Sequence, residues 1–358
     1  MTFDFRTINV FDMKIKYFTQ KCAGSGVFPG AAWAVGNAEK IFEKGSTGFL
    51  GRGLGPASED SIYDMASLTK IFVALAFMRQ LEDGLVLLED TVDYFLPSYK
   101  TSAFGKVSLF SLLTHTAPFP ANTHLYRRVK NRSELLDAIH SYQFRAENTD
   151  KVLYTCEAFI LLGEIISAVD SQSLDNVIRN RVTAPLNLKD TGYLPDAALL
   201  DKIAPTEFCS IRGKVVRGEV HDENAMMMGG VSGNAGIFSN VPDMAKVGAA
   251  MLSSLETGAF LSKPAAQLMT RNHTAGKGGN RGLGWILAGP GTPAGDLLSA
   301  SSFGHTGFTG TSLWVDPVNK IYAVLLSNRV HPTRDNPGIF RARQIFHNLA
   351  VLEYRNNG

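Results

Sequence analysis

Strand-like patterns occur at the two ends of this 358-residue chain, and helical patterns fill the stretch between them. Near the N-terminus, two short β-prone runs flank a hairpin-like turn at residues 36–39. The five predicted strands cover residues 31–36, 40–48, 282–288, 309–315 and 321–327. Since connections in proteins are short and rarely cross, this order favours one antiparallel sheet that is built from both termini.

The middle of the chain is predicted to be helical. Residues 71–81 are apolar around the whole helix and are followed by the helix-ending Gly84, so this helix is expected to be buried. Other helices are predicted over residues 5–19, 108–114, 132–142, 157–169, 174–182, 241–255 and 339–354. We therefore predict a mixed α/β (α+β) fold, with an antiparallel sheet flanked by terminal helices and a large inserted all-helical domain. Residues 1–66 and 275–358 form the sheet domain, and residues 67–274 form the mainly helical one.

Composition excludes several classes of protein. Apolar residues make up 45% of the chain and charged residues 19%, and 35 Lys and Arg against 33 Asp and Glu leave a formal charge of +2. A disordered chain would carry more charge, and a nucleic-acid-binding protein would show a basic face. The local basic cluster is Arg127, Arg128, Lys130 and Arg132. We therefore expect no nucleic-acid partner.

The chain has no apolar run of about 18 residues, and its N-terminus lacks the basic and apolar regions of a secretory signal. Cys22, Cys156 and Cys209 are widely spaced and form no C-x-x-C pair, which argues against a disulfide framework or a zinc site. These patterns predict a cytoplasmic protein without membrane association, metal or cofactor. They leave its oligomeric state open.

The first candidate for chemistry is Ser67-Leu-Thr-Lys70, where an irregular stretch ends and the predicted buried helix begins. A Ser in the first helical turn lies in the field of the unpaired amides, and a Lys three residues later projects from the same face. Burial is expected to lower the pKa of Lys70 and let it act as a base towards the Ser67 hydroxyl. Alternatively, Ser67 is an N-cap and Lys70 extends to solvent.

Two further motifs follow along the chain. Tyr154 and Cys156 immediately precede a predicted helix, where a Tyr can also serve as a simple hydrophobic staple. His305, Thr306 and Gly307 lie on a predicted strand. A glycine weakens a strand unless another group approaches its backbone closely, and a substrate is one such group. A twisted sheet edge is the alternative interpretation.

Together these motifs resemble those of the serine β-lactamase and penicillin-binding protein superfamily, which are S-x-x-K, then Y-x-N or S-x-N, then K-T-G or H-T-G. Five other stretches also resemble the class C β-lactamase-like serine hydrolases, at residues 65–70, 112–116, 159–166, 221–225 and 229–236. The resemblance extends over residues 28–343. It implies a β-lactamase/transpeptidase-like fold in which the helical domain is inserted after the nucleophile helix starts.

The resemblance also implies acyl-enzyme chemistry. Ser67 would be the nucleophile and Lys70 its activating partner, while Tyr154 would pass a proton between the attacking hydroxyl and the leaving group. The amides of Ser67 and Phe308 would form the oxyanion hole. The remaining substrate-binding positions are His305, Thr306, Gly307 and Cys156. Whether Lys70 or Tyr154 is the base stays open.

Two residues depart from the family pattern. Cys156 replaces an Asn, which removes an amide donor and acceptor for the substrate's acyl side chain. His305 replaces the Lys of β-lactamases, so the charge that faces a substrate carboxylate is expected to depend on pH near neutrality. Esterase- and peptidase-like members of the family also carry His at this position.

The predicted function is a serine hydrolase that acts on a small-molecule ester, amide or β-lactam substrate, with carboxylesterase activity preferred. The alternative enzyme is a D-alanyl-D-alanine peptidase or a weak β-lactamase. The alternative from another class is a non-catalytic relative that binds a ligand in the same cleft.

Overall fold

The computed structural model describes residues 14–121, 123–144 and 151–357, with side chains up to residue 353. The α-helices are α1 (Ile15–Gly24), α2 (Thr69–Glu82), α3 (Val92–Phe95), α4 (Leu109–Leu113), α5 (Arg132–His140), α6 (Glu157–Asp170), α7 (Leu174–Ile178), α8 (Glu223–Met227), α9 (Val241–Glu256), α10 (Lys263–Thr270) and α11 (Gly338–Asn357). None of the helices within these ranges combines the length and apolar character needed to cross a membrane.

The strands of the described residues are β1 (Gly30–Gly36), β2 (Ile41–Gly48), β3 (Tyr63–Asp64), β4 (Gly192–Tyr193), β5 (Phe208–Cys209), β6 (Lys214–Val215), β7 (Ile237–Ser239), β8 (Ile286–Leu287), β9 (Phe303–Thr306), β10 (Ser312–Asp316) and β11 (Ile321–Ser327). The main sheet has the order β2-β1-β11-β10-β9-β8, and all of its pairs are antiparallel. The predicted fold class is therefore confirmed: a mixed α/β protein whose antiparallel sheet takes strands from both ends. The domain boundaries stay a prediction.

Both faces of this sheet are covered by helices. Each face forms a separate core, and the side chains of the central strands point alternately into the two cores. Successive side chains of a strand point to opposite faces. Trp33 and Leu325 pack on one face, in the core that contains α1 and α11. Ala34 and Val324 pack on the other face, in the larger core that contains α2, α6 and α9. Strand β1 is accordingly buried over its whole length, and one face of the sheet shares a core with α2.

Several elements differ from their predicted bounds. Strand β8 has two residues, since Gly284 adopts a φ of +78° and a Cβ there would lie 2.4 Å from Ala74 Cβ of α2. Strand β10 begins only at Ser312, because Gly310 turns the chain with a φ of +122°. Helix α7 ends at Ile178 and continues as a π-helical turn. The predicted helix over residues 5–19 lies partly outside the described residues, and α1 occupies Ile15–Gly24.

Candidate active site

Ser67 lies in a tight turn between β3 and α2. The turn is a short 3-10 helix, Ala66–Leu68, in which Ala66 adopts a left-handed φ of +46°. The buried Asp64 accepts hydrogen bonds from the Ala66 amide at 2.7 Å and from the His221 amide at 2.6 Å. Ser67 is therefore placed by a braced turn at the start of α2, close to where the sequence predicted it.

Lys70 lies one helical turn further along, completely buried. Its Nζ donates to Ser67 Oγ at 3.2 Å and to the carbonyl oxygen of Asn234 at 2.8 Å. Burial by itself lowers the pKa of Lys70, but Tyr154, Cys156 and Asp222 raise it, and the net pKa lies above its ordinary value. The expectation of a lowered Lys70 pKa is therefore wrong, because the interactions of Lys70 with these three groups outweigh desolvation. Lys70 is an ammonium that touches the serine.

Tyr154 approaches Ser67 from the segment that leads into α6. Its hydroxyl donates to Ser67 Oγ at 2.7 Å, and its ring centroid lies 5.0 Å from Lys70 Nζ. The segment is fixed by a backbone hydrogen bond from Leu153 to His115 at 2.8 Å. The Tyr154 side chain is 40% exposed, so a substrate can reach the hydroxyl. The three residues of the predicted catalytic set thus converge on one serine oxygen.

The strand β9 brings the third motif against the nucleophile turn. A Cβ on Gly307 would lie 2.3 Å from the carbonyl oxygen of Met65, two residues before Ser67, so only glycine permits this approach. Thr311 donates its hydroxyl to the same carbonyl at 3.1 Å. Thr306, half-buried, ends β9. The glycine that was noted in the sequence therefore serves the packing of two backbone segments.

His305 is 2% exposed, and its Nδ1 lies 2.9 Å from the Thr306 carbonyl oxygen, which it can contact only as a donor. Burial lowers the pKa of His305 well below its ordinary value, and the charges of Arg281 and Lys70 lower it further. A neutral ring results. The expectation that its charge varies near neutral pH is wrong, since protonation would bury a second charge beside two cations.

The two amides of the predicted oxyanion hole are free to bind an oxyanion. Among the described residues, neither the Ser67 nor the Phe308 amide has a hydrogen-bond acceptor. Phe308 is 46% exposed, and its ring lies under the Arg329 guanidinium at 4.4 Å and stacks on His221 at 5.6 Å. Its carbonyl oxygen accepts from Arg329 Nε at 2.9 Å. These contacts fix the position of Phe308 next to the nucleophile turn.

Cys156 lines a cavity of about 270 Å³ together with Tyr154, Glu157 and Asp222. Burial raises the pKa of the Cys156 thiol to about 12. Burial also raises the pKa of Glu157, which accepts a hydrogen bond from the Thr123 hydroxyl. The position that the family fills with Asn therefore holds a protonated thiol that offers little hydrogen bonding to a substrate.

Sequence reasoning missed four residues of the site. The Asn234 carbonyl binds Lys70, and the Asn234 side chain donates to Asp222 at 3.0 Å. The Arg281 guanidinium lies 5.4 Å from the Tyr154 ring centroid, and His115 lies 4.7 Å from the same ring. The glycine-rich run at residues 229–236 was a signal for the Asn234 loop, whereas nothing local to Arg281 points to the site.

Comparison with known proteins agrees with this geometry. The family model described as "Beta-lactamase" matches residues 15–347. A "Putative D-alanyl-D-alanine carboxypeptidase" of Salmonella gallinarum is 31% identical over 317 residues, which cover 79% of this chain and 73% of the relative.

Solved structures share the fold. The octameric penicillin-binding protein homologue from Pyrococcus abyssi has a TM-score of 0.73 and 21% identity, and the match covers 95% of this chain and 76% of that one. A structure described as "EstCE1, a hydrolase with promiscuous acyltransferase activity" has a TM-score of 0.71 and 20% identity, with 92% and 97% covered. The chain therefore belongs to the β-lactamase family of serine hydrolases.

Proposed function

We propose that the protein hydrolyses a small ester or amide through an acyl intermediate on Ser67, with carboxylesterase activity preferred. The observation that carries this proposal is the pair of hydrogen bonds on Ser67 Oγ, from Lys70 Nζ at 3.2 Å and from the Tyr154 hydroxyl at 2.7 Å. A serine hydroxyl is a weak nucleophile until a neighbouring group takes its proton. Tyr154 is such a neighbour, and Lys70 places a positive charge beside the same oxygen.

Tyr154 is the group to which we assign the proton transfers. Because the pKa of Lys70 is raised, the ammonium keeps its proton and acts as a fixed positive charge beside both oxygens. As Ser67 Oγ attacks the substrate carbonyl, the Tyr154 oxygen takes the Ser67 proton, and the hydroxyl proton that Tyr154 carried passes to the leaving oxygen or nitrogen. In the second half-reaction, water attacks the acyl carbonyl and gives a proton to the Tyr154 oxygen, while the Tyr154 hydroxyl proton returns to Ser67 Oγ, which leaves as a neutral hydroxyl.

The developing oxyanion is bound by the amides of Ser67 and Phe308. Both lack intramolecular acceptors among the described residues, so their hydrogen bonds are available to the transition state. Loss of one such donor typically costs about 10²–10³ in rate. Hydrogen bonds from the Ala66 amide to Asp64 and from Arg329 to the Phe308 carbonyl fix the backbone next to the two amides.

The preference for an ester rests on the two departures from the family motifs. The neutral His305 provides no fixed cation on β9, and Cys156 provides no amide for a peptide group. An ester can be hydrolysed without the cation or the amide contact, since the alkoxide of an ester is a better leaving group than the nitrogen of an amide.

Fluorophosphonate labelling and a panel of 4-nitrophenyl esters test the proposal. We expect one adduct, located at Ser67 by peptide mass analysis, and ester hydrolysis that disappears in Ser67→Ala. Ser61→Ala is the matched control, because Ser61 is a buried serine that lies outside the site, and it should keep both properties. Hydrolysis that survives in Ser67→Ala would overturn the assignment.

The second candidate function is a D-alanyl-D-alanine carboxypeptidase or a weak β-lactamase. The curated relatives that carry the carboxypeptidase name support it, at 31% identity. The Arg281 guanidinium beside Tyr154 supports it too, since a peptide carboxylate needs a cation there. Release of D-alanine from a D-alanyl-D-alanine peptide, or a stable penicilloyl adduct on Ser67, would establish this activity. The cytoplasmic location stays a prediction.

A further inference from the structure

A second cavity, of about 770 Å³, adjoins the one that Cys156 lines. The two cavities share Tyr126, Glu223 and Arg334, so they form one groove that runs from Tyr154 to the β5–β6 hairpin. A volume of this size accommodates a group of drug-like dimensions. Cys156 and Tyr154 line its proximal part, and we call its distal part, the cavity of about 770 Å³, the hairpin groove.

Arg334 lines both cavities and forms ion pairs with two carboxylates of the groove wall. It donates from Nε to Glu207 and from Nη2 to Glu223 at 2.7 Å. Glu207 also contacts His221 Nε2 at 2.7 Å. Arg334 therefore bridges both carboxylates that line the hairpin groove and offsets part of their negative charge.

Two other cations line the hairpin groove without such a partner. Arg127 and Lys130 have no acidic partner among the described residues. Arg127 donates from Nε to the hydroxyl of its neighbour Tyr126 at 3.3 Å, which leaves its charge uncompensated. By contrast, Arg132 of the same basic cluster pairs with Glu164 at 2.5 Å, away from the groove. With Arg334, three cations line the hairpin groove against the two carboxylates of Glu207 and Glu223. The lining of the hairpin groove therefore carries a net positive charge.

The same groove has an apolar wall. Phe208 is 58% exposed and Ile211 is 52% exposed, and both line the cavity from the β5–β6 hairpin. Met227 and Val129 line it as well. An exposed aromatic ring and an exposed aliphatic side chain on one wall favour contact with a ligand chain rather than with water.

We propose that the hairpin groove binds the part of the substrate that extends past Cys156, and that this part is an apolar chain ending in a carboxylate. The chain packs on Phe208 and Ile211, and the carboxylate pairs with Arg127 and Lys130. This inference rests on the proposed ester or amide hydrolysis at Ser67, to which it adds the substrate class. The enzyme thus selects its substrate by a carboxylate that lies away from the bond that is hydrolysed.

Matched esters test the proposal. The first pair is the 4-nitrophenyl ester of octanoic acid and the mono-4-nitrophenyl ester of octanedioic acid. The second pair places the carboxylate on the alcohol, as the butyrate esters of 1-hexanol and 6-hydroxyhexanoic acid. We expect one carboxylate-bearing ester to have the higher kcat/KM of its pair. The variant Arg127→Gln/Lys130→Gln should lower that value about tenfold, mainly through KM, and leave the neutral ester within twofold.

Arg128→Gln is the control, because it removes one positive charge next to Arg127 in the sequence, from a side chain that does not line the groove. It should leave both ester pairs unchanged. If neither pair shows a carboxylate preference, or if Arg128→Gln acts as strongly as the double variant, the groove proposal is wrong while hydrolysis at Ser67 stands.

Binding separates the groove from the chemistry. Calorimetry with Ser67→Ala and decanedioate should give a dissociation constant that weakens about tenfold on adding Arg127→Gln/Lys130→Gln, and not on adding Arg128→Gln. If the parent hydrolyses no ester but this pattern holds, the groove stands and the proposed function fails. If the dissociation constant of decanedioate does not change in Arg127→Gln/Lys130→Gln, the groove proposal is wrong.

Discussion

Lys70 Nζ lies 2.8 Å from the carbonyl oxygen of Asn234, closer than the 3.2 Å that separates it from Ser67 Oγ. The Asn234 side chain is itself held by Asp222 at 3.0 Å and by Ser232 at 2.7 Å. The loop therefore presents its carbonyl from a fixed position, and the ammonium is tied at two points. Lys70 is a positioned cation whose charge acts on the serine and the tyrosine.

Replacing Lys70 by Met keeps the length of the side chain and removes the charge. We expect kcat/KM to fall at least about 10³-fold, because the cation that stabilises both oxygens is lost. The fold should survive, since an apolar side chain replaces a buried charge. Ester hydrolysis and the urea midpoint of unfolding measure the two effects. A kcat/KM within tenfold of the parent would contradict the assigned role.

Tyr154→Phe removes the hydroxyl that contacts Ser67 and keeps the ring that faces Lys70 and His115. We expect kcat to fall by about 10²–10⁴ with little change in KM, since proton transfer is lost and the substrate contacts remain. Steady-state kinetics measure this. Tyr126→Phe, in the same groove wall, is the control and should stay within a few-fold. Equal effects in the two variants would count against Tyr154.

Gly307→Ala is expected to destabilise the fold. The new Cβ would lie 2.1 Å from Thr311 Oγ1 and 2.3 Å from the Met65 carbonyl oxygen, so β9 must move away from the nucleophile turn. Overpacking of this kind typically costs about 1–3 kcal/mol. Gly192→Ala is the control, because nothing lies within 4 Å of its Cβ. Urea unfolding measures both, and equal stabilities would show that this approach is not tight.

Stability should fall as the pH drops below about 6.5. Burial lowers the pKa of His347 to about 3 from an ordinary 6.5. The neutral ring donates from Nδ1 to the Pro293 carbonyl and accepts at Nε2 from Ser312, both at 3.1 Å. Below pH 6.5 the unfolded chain binds a proton that the folded chain does not. Between pH 6.5 and 4 this difference lowers the free energy of unfolding by about 3 kcal/mol.

The free energy of unfolding in urea at pH 7, 6, 5 and 4 measures this dependence. His347→Gln should be less stable at pH 7 but lose less stability on acidification. Some pH dependence should remain, because burial also lowers the pKa values of His115 and His305. An unchanged slope in His347→Gln would show that this residue is not the source.

Cys156→Asn is expected to raise the rate at which penicillin acylates Ser67. The substitution places an amide donor and acceptor in the cavity of about 270 Å³, where the parent has a thiol with a pKa raised to about 12 by burial. Cys156→Ala removes the thiol without adding an amide and is the control. Intact-mass measurement of the penicilloyl adduct over time gives the rate. Equal rates in the two variants would mean that the amide is irrelevant.

Much of the fold could be predicted from local pattern. The β-prone runs at both ends of the chain and the apolar surface of α2 on all sides are short-range properties, and they predicted the sheet and the buried helix. Strand β8 was predicted too long, because the left-handed Gly284 is required by its contact with Ala74, which lies far away in the sequence. Element bounds fail where a distant neighbour sets the backbone.

The candidate site divides in the same way. The spacing of Ser67 and Lys70 on one helical face, and the motifs that hold Tyr154 and His305, could be found from the sequence alone. Their ionisation could not, since the pKa values of Lys70 and His305 depend on charges that other segments bring within a few ångströms. Residue types and local spacing determined which groups are present, and the tertiary structure decided how those groups are charged and what surrounds them, because electrostatic interactions depend on distance in space.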